Sequence, residues 1–289
     1  MIGQSYNTAR HCTDDPDAQK QIVDESMRRC LALGPKALEI TPGELSQLSF
    51  EAAREISGVE DPYIEDKRSS NAAALAFYPE LKERLAASPD PLPDALLLAM
   101  AGNIIDLGID QEYDLVDDVV NQVERGFNVE ELDKFRADLA DAKSILYLAD
   151  NSGEIVFDRL LIEVLGPDRI TLMVKAGPIV NDAMRADAEQ VGLADQVRVV
   201  DTGSNYFGFP WQIVSEEARE EFRRADLVIS KGHANFETVS ELGADWDSVW
   251  YLLKAKCDEV ARIVGATLGD VVLISHATVK ALEAQTACK

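Results

Sequence analysis

Six short, largely apolar β-rich runs, at 145–148, 170–174, 197–200, 227–230, 249–253 and 271–274, constrain the fold more than any other feature of the chain. They do not alternate apolar with polar residues, so each predicts a strand buried on both faces, the pattern of a largely parallel sheet. Helix-length segments separate them, at 155–165, 181–191, 215–224, 237–242 and 257–264. Alternation of this kind predicts an α/β fold. The first run leads through Ala149 straight into Asp150-Asn151-Ser152-Gly153-Glu154, and a second apolar stretch then stops at Gly166. That reads as strand, tight polar turn, helix. Ligands of open α/β sheets bind outside the carboxyl ends of strands, which aims Asp150 and Asn151 at the place where chemistry occurs.

Residues 1–140 carry helical periodicity and almost no strand signal. A helix over 17–33 ends at Gly34-Pro35, and Thr41-Pro42-Gly43-Glu44 opens another with a cap, a first-turn proline and an acidic first turn. Further helices are expected over 67–85 and 95–107, separated by the rigid Ser88-Pro89-Asp90-Pro91-Leu92-Pro93. The reading is an all-helical domain over 1–138 followed by an α/β domain over 139–289.

Composition narrows the partners. The 289 residues include 52 acidic against 28 basic side chains, a net charge of −24. That argues against nucleic acid or an anionic membrane as the main partner. It leaves room for a small anionic substrate, because a bound metal and a few lysines invert the local potential. Cys12, Cys30, Cys257 and Cys288 are scattered and form no Cys-x-x-Cys pair, as expected of reduced thiols in a cytoplasmic protein. No apolar run reaches the roughly 18 residues of a membrane-spanning helix, and no signal peptide is evident.

Four strand ends carry polar residues of unusual composition: Asp150-Asn151-Ser152-Gly153, Lys175 to Asp182, Asp201-Thr202-Gly203-Ser204, and Ser230-Lys231-Gly232-His233-Ala234-Asn235-Phe236-Glu237. In a parallel sheet all four meet at one edge. Asp150, Asn151 and Asp182 would then offer hard oxygen ligands, suited to Mg²⁺ or Mn²⁺ rather than zinc, beside lysines and exposed backbone N–H groups that suit phosphate. These are the parts of metal-assisted phosphoryl hydrolysis. Singly, each has a plainer reading. Asp-Asn-Ser-Gly is a common turn, Asn181-Asp182 a helix cap, Lys231-Gly232 an ordinary turn. Asn103 and Asp106 read as polar positions on a buried helix. The joint occurrence is what points to chemistry.

At these same residues the chain resembles the damage-control phosphatase family, metal-dependent phosphatases related to the acidic-residue methyltransferase-like proteins. Leu148-Ala149-Asp150-Asn151-Ser152-Gly153-Glu154, Gly177-Pro178-Ile179-Val180-Asn181-Asp182, Ser230 to Glu237 and Leu253-Lys254-Ala255-Lys256-Cys257 match its segments in order. Ala101-Gly102-Asn103-Ile104-Ile105-Asp106 and Asp61-Pro62-Tyr63 match its helical signatures. The resemblance implies a Rossmann-like three-layer α/β/α core with a helical N-terminal domain. It implies hydrolysis of small phosphorylated metabolites, either sugar phosphates or damaged intermediates, with Mn²⁺, Co²⁺, Ni²⁺ or Mg²⁺. It further implies that Asp150, Asn151 and Asp182 hold the metal, that Lys231, Gly232, Asn235 and Lys254 line the phosphate, and that Asn103 and Asp106 face the cleft. The attacking group is then either a metal-positioned water or the Asp150 carboxylate.

Two departures stand out. Relatives of the prokaryotic type often begin with a Cys-x-x-Cys pair, whereas Cys12 has no such partner; His233 stands where relatives often have Asp. Two other functions remain open from sequence: a methyltransferase using a nucleotide-like donor, although the first turn lacks G-x-G-x-x-G, and a non-catalytic phosphometabolite binder.

Overall fold

The computed structural model describes residues 2–38, 40, 42–101 and 126–287. Among the described residues seven strands form one sheet in the order β1-β7-β6-β5-β2-β3-β4: β1 Val129–Glu130, β2 Ile145–Leu148, β3 Ile170–Val174, β4 Arg198–Asp201, β5 Leu227–Lys231, β6 Val249–Lys254 and β7 Val271–Ser275. Every neighbouring pair is parallel except β6 with β7, where Trp250 opposes Ser275 and Lys254 opposes Val271. The six apolar runs are thus all strands of a largely parallel sheet. The two-residue β1 had no apolar run to announce it.

Alternation along the strands divides the core. Ile145, Tyr147, Leu172, Ile229, Trp250 and Leu252 face one way, toward helices α4 (Ile64–Ala87), α5 (Pro91–Ala101), α6 (Leu132–Asp141) and α7 (Glu154–Leu165). Leu146, Leu148, Met173, Val228, Tyr251 and Leu253 face the other, toward α9 (Glu216–Arg224), α10 (His233–Val239), α11 (Asp258–Ile263) and α12 (His276–Ala287). The result is a three-layer α/β/α sandwich. Helix α8 (Arg185–Gln190) begins later than the 181 expected, because Asp182 and Met184 first bridge to Asn151 and Lys175.

The N-terminal helices split in two. Helices α1 (Ile2–Cys12), α2 (Pro16–Ala32) and α3 (Pro42–Ser57) pack on one another through Ala9, Ile22 and Ala53. By contrast, Ala74, Leu81 and Leu85 of α4 and Leu96 and Met100 of α5 belong to the same core as the sheet. Strand β1 and this shared core both run across the position near 138 where composition changes. Among the described residues, no helix is long and apolar enough to cross a membrane.

Candidate active site

Strands β5, β2, β3 and β4 are parallel neighbours, so the four polar strand ends do meet at one edge of the sheet. Asp150 and Asn151 leave the end of β2, and the chain returns to them after β3. Val180, β-branched yet at a φ of 43°, makes the sharp reversal. The Ala183 amide then donates to the Asp150 carbonyl (2.9 Å) and the Ser152 amide to the Asn181 carbonyl (2.8 Å). These bonds bridge Asn151 to Asp182 and set the two acidic segments side by side. On the other flank Gly232, at φ 89°, leaves the space that Asp150 occupies: a Cβ there would lie 2.0 Å from Asp150 Oδ2. Only glycine fits between β5 and α10 at this point.

Negative charge is crowded here. Burial pushes the Asp150 carboxyl well up, the charges of Glu154 and Asp182 add to the effect, and Lys231 and Lys256 offset it only in part. Burial pushes Asp182 up to about 6 against the pull of Lys175 and Lys67. Lys175 Nζ stands 3.5 Å from Asp182 Oδ2, beyond good hydrogen-bond reach, and donates instead to the Gly208 carbonyl. Asp182 Oδ2 is left buried with no hydrogen-bond partner among the described residues. Asn151 Nδ2 donates to Asp150 Oδ2 (3.2 Å) and Glu154 Oε1 (2.8 Å), which turns its amide oxygen into the atom available to a ligand.

Among the described residues no three His, Cys, Asp or Glu side chains are grouped as metal ligands would be. The donors here are two carboxylates and one amide oxygen. An all-oxygen, incomplete set with an orphaned carboxylate oxygen fits a hard divalent cation that keeps several waters, and does not fit a closed zinc site.

The residues assigned to phosphate by resemblance are arranged differently from that expectation. Lys231 is fully enclosed, its ammonium 2.6 Å from Glu154 Oε2 and 2.9 Å from Asp158 Oδ1; Tyr147 donates to the same Asp158 oxygen at 2.8 Å. The Gly232 amide donates to the Leu252 carbonyl (3.0 Å), so it is not an anion donor; its contribution is the room it leaves for Asp150. Asn235 Nδ2 donates to the carbonyls of Ala149 (3.0 Å) and Lys231 (2.7 Å), tying β2 to β5. These three residues build the turn in this structure and do not present their donors to a cleft. Lys254, at the end of β6, is half-buried, and no ion pair holds it among the described residues. Asn103 and Asp106 lie outside the described residues. His233 sits on Glu237, 3.3 Å away, with Cys257 Sγ at 3.7 Å from the same ring nitrogen.

Sequence reasoning passed over several participants. Glu154 and Asp158 flank Lys231, Lys67 joins the expected Lys175 in bearing on Asp182, and exposed Lys256 bears on Asp150. From the helical layer, Asn71 accepts from the Gly153 amide. The one signal for Lys67 and Asn71 is their spacing of one helical turn within α4, an unusual placement for two buried polar side chains.

The profile of the damage-control phosphatase ARMT1-like domain matches residues 1–272. This chain belongs to that family. It is 32% identical over 280 residues to a damage-control phosphatase of Archaeoglobus fulgidus, covering 94% of this chain and 95% of that protein. It is 33% identical over 287 residues to a damage-control phosphatase of Pyrococcus horikoshii, covering 96% and 95%. The crystal structure of a DUF89 family protein from Pyrococcus horikoshii superposes with a TM-score of 0.84 at 29% identity, covering 95% of each chain. The damage-control phosphatase fold therefore spans both the helical layers and the sheet, and the crowded strand-end site belongs to a chain matched along nearly its whole length.

Proposed function

We propose that this damage-control phosphatase hydrolyses phosphate monoesters of small metabolites, sugar phosphates or damaged phosphometabolites, with a divalent cation held by Asp150, Asn151 and Asp182. The observation that carries the reading is the pair of buried carboxylates, Asp150 and Asp182, only partly offset by positive charge and with Asp182 Oδ2 accepting no hydrogen bond among the described residues. Buried charge without a partner costs several kcal/mol, so a site built this way is completed by a cation. When bound, Mn²⁺, Co²⁺, Ni²⁺ or Mg²⁺ supplies the positive charge that polarises a phosphoryl oxygen.

The chain's own residues do the rest. Asn151 is oriented by Glu154, and Glu154 by Lys231, so the ligand turn is set before substrate arrives. Lys175 anchors the loop at Gly208 and balances part of the Asp182 charge. Lys254, the last residue of β6, and Lys256 just beyond it are the cations we assign to the substrate phosphate, with Lys231 acting one layer beneath. We place the enzyme in the cytoplasm on the free thiols of Cys12, Cys30 and Cys257.

The test is phosphate release from a panel of sugar phosphates with Mn²⁺ or Co²⁺. Release by the wild-type chain and none by Asp150→Ala is the expected outcome. Tight phosphate binding with no release above the Asp150→Ala control would overturn the hydrolase reading in favour of a binding protein.

A further inference from the structure

Asn71 is fully buried in the middle of α4, in the helical layer, where a polar side chain is costly unless its hydrogen bonds are made. They are made entirely to the sheet side of the molecule. Its Oδ1 accepts from the Gly153 amide at 2.7 Å, the N–H at the entry to α7. Its Nδ2 donates to Asp187 Oδ1 at 2.8 Å and to Gln190 Oε1 at 2.9 Å. Asp187 in turn accepts from Ser152 Oγ at 3.0 Å and from the Met184 amide at 2.8 Å.

One amide therefore has its oxygen on the turn that carries Asp150 and Asn151. Its nitrogen is on the carboxylate that grips both that turn and the segment following Asp182. Helix α4 also approaches closely: a Cβ on Gly153 would stand 3.1 Å from Ser70 Cβ. No other side chain type meets these demands at this length. A carboxylate would face Asp187 with like charge, and an aliphatic group would leave the Gly153 amide and Asp187 without partners.

We infer that Asn71 is the positioning residue that fixes the spacing of the two cation-binding segments, so that the helical layer sets the geometry of the strand-end site. The inference rests on the metal-phosphatase reading above. Groups that orient metal ligands in this way are typically worth about 10- to 100-fold in metal affinity or activity.

The experiment uses the full-length chain. Mn²⁺ binding is measured by calorimetry, amide hydrogen exchange by mass spectrometry, and hydrolysis of p-nitrophenyl phosphate at saturating Mn²⁺. Asn71→Ala is expected to weaken Mn²⁺ binding about tenfold or more, with KM at saturating metal little changed. Exchange should rise in peptides covering 150–156 and 182–190 and not in those covering 227–231 and 249–254. Asn71→Asp keeps the acceptor for Gly153 and loses the donor to Asp187, so exchange should rise at 182–190 and less at 150–156. Gln190→Ala removes the bond from Asn71 and the bond to the Arg68 carbonyl, spares the Asn71 bonds to Gly153 and Asp187, and should bind Mn²⁺ as the wild type does. Wild-type Mn²⁺ affinity in Asn71→Ala, or an exchange increase spread evenly over the sheet, overturns the inference. If the wild-type chain binds no Mn²⁺, the functional reading falls, and the localised exchange pattern decides the role of Asn71 alone.

Discussion

Two buried charged clusters lie next to each other at the end of β2, and they are built on opposite plans. In the first, Lys231 sits between Glu154 and Asp158 at 2.6 and 2.9 Å, all three side chains wholly enclosed. In the second, Asp150 and Asp182 are buried beside each other, and the cation approaching Asp182 from β3 stops at 3.5 Å. The first resembles a core ion network: opposite charges in contact and no room for anything else. The second leaves two buried carboxylates short of positive charge, which the cation we propose there would supply. Because Glu154 belongs to the first and bonds Asn151 of the second, the closed cluster holds the open one in shape.

The strongest way to break this contrast is to remove a charge from each side. Asp150→Ala should lower metal-dependent phosphate release by about 10³-fold, the scale on which a group stabilising transition-state charge matters. The same change should leave the thermal midpoint unchanged or higher, since it relieves repulsion; calorimetry alongside the assay reads both. Lys231→Met should do the reverse in stability, costing about 3–5 kcal/mol by denaturant unfolding, because it leaves Glu154 and Asp158 buried without their cation. A Lys231→Met protein as stable as wild type would show that the cluster is not the scaffold described here.

A pH series sharpens the comparison. Burial pushes Asp158 up to about 6, with Lys231 pulling the other way. Between about 4 and 6 the folded chain favours the protonated carboxyl while the unfolded chain has released it, so this group makes stability fall as pH rises through that window. Denaturant unfolding of wild type and Asp158→Asn at both ends of the window should show a steeper fall in the wild type, the raised Asp150 and Asp182 contributing to both curves; parallel curves would contradict it. The smallest effect is expected at the rim. Lys254→Ala should raise KM for a phosphomonoester about tenfold, as for loss of one charge-assisted contact, with the thermal midpoint unmoved.

The strand ends at β2, β3 and β5 were legible in the sequence because these strands are largely apolar runs with an abrupt polar stop, whereas β4 is interrupted by Arg198. The convergence of Asp150, Asn151 and Asp182 followed from parallel order alone. The direction of Lys231 was also readable, although the resemblance drew attention to phosphate. It shares parity with Leu227 and Ile229, which face the layer containing α7, and Glu154 and Asp158 are one helical turn apart on that helix. Lys67 and Asn71 were not legible. Asn71 meets Asp187 more than a hundred positions away, and Lys67, whose ammonium pairs with nearby Asp61, bears on equally distant Asp182 only as a charge; their one-turn spacing does not say what they meet. Strand β1 was missed for the opposite reason: two residues are too few to leave a pattern.

That brevity has a consequence for how these molecules behave in company. A sheet edge is a template on which another chain can grow, and its danger scales with the length of unpaired backbone. Val129–Glu130 ends the ladder beyond β7 with a strand too short to nucleate an intermolecular one. At the opposite edge, β4 carries Arg198 and Asp201, whose hydration opposes docking. A net charge of −24 adds mutual repulsion, and among the described residues neither end of the sheet offers a long, uncharged edge to a second chain.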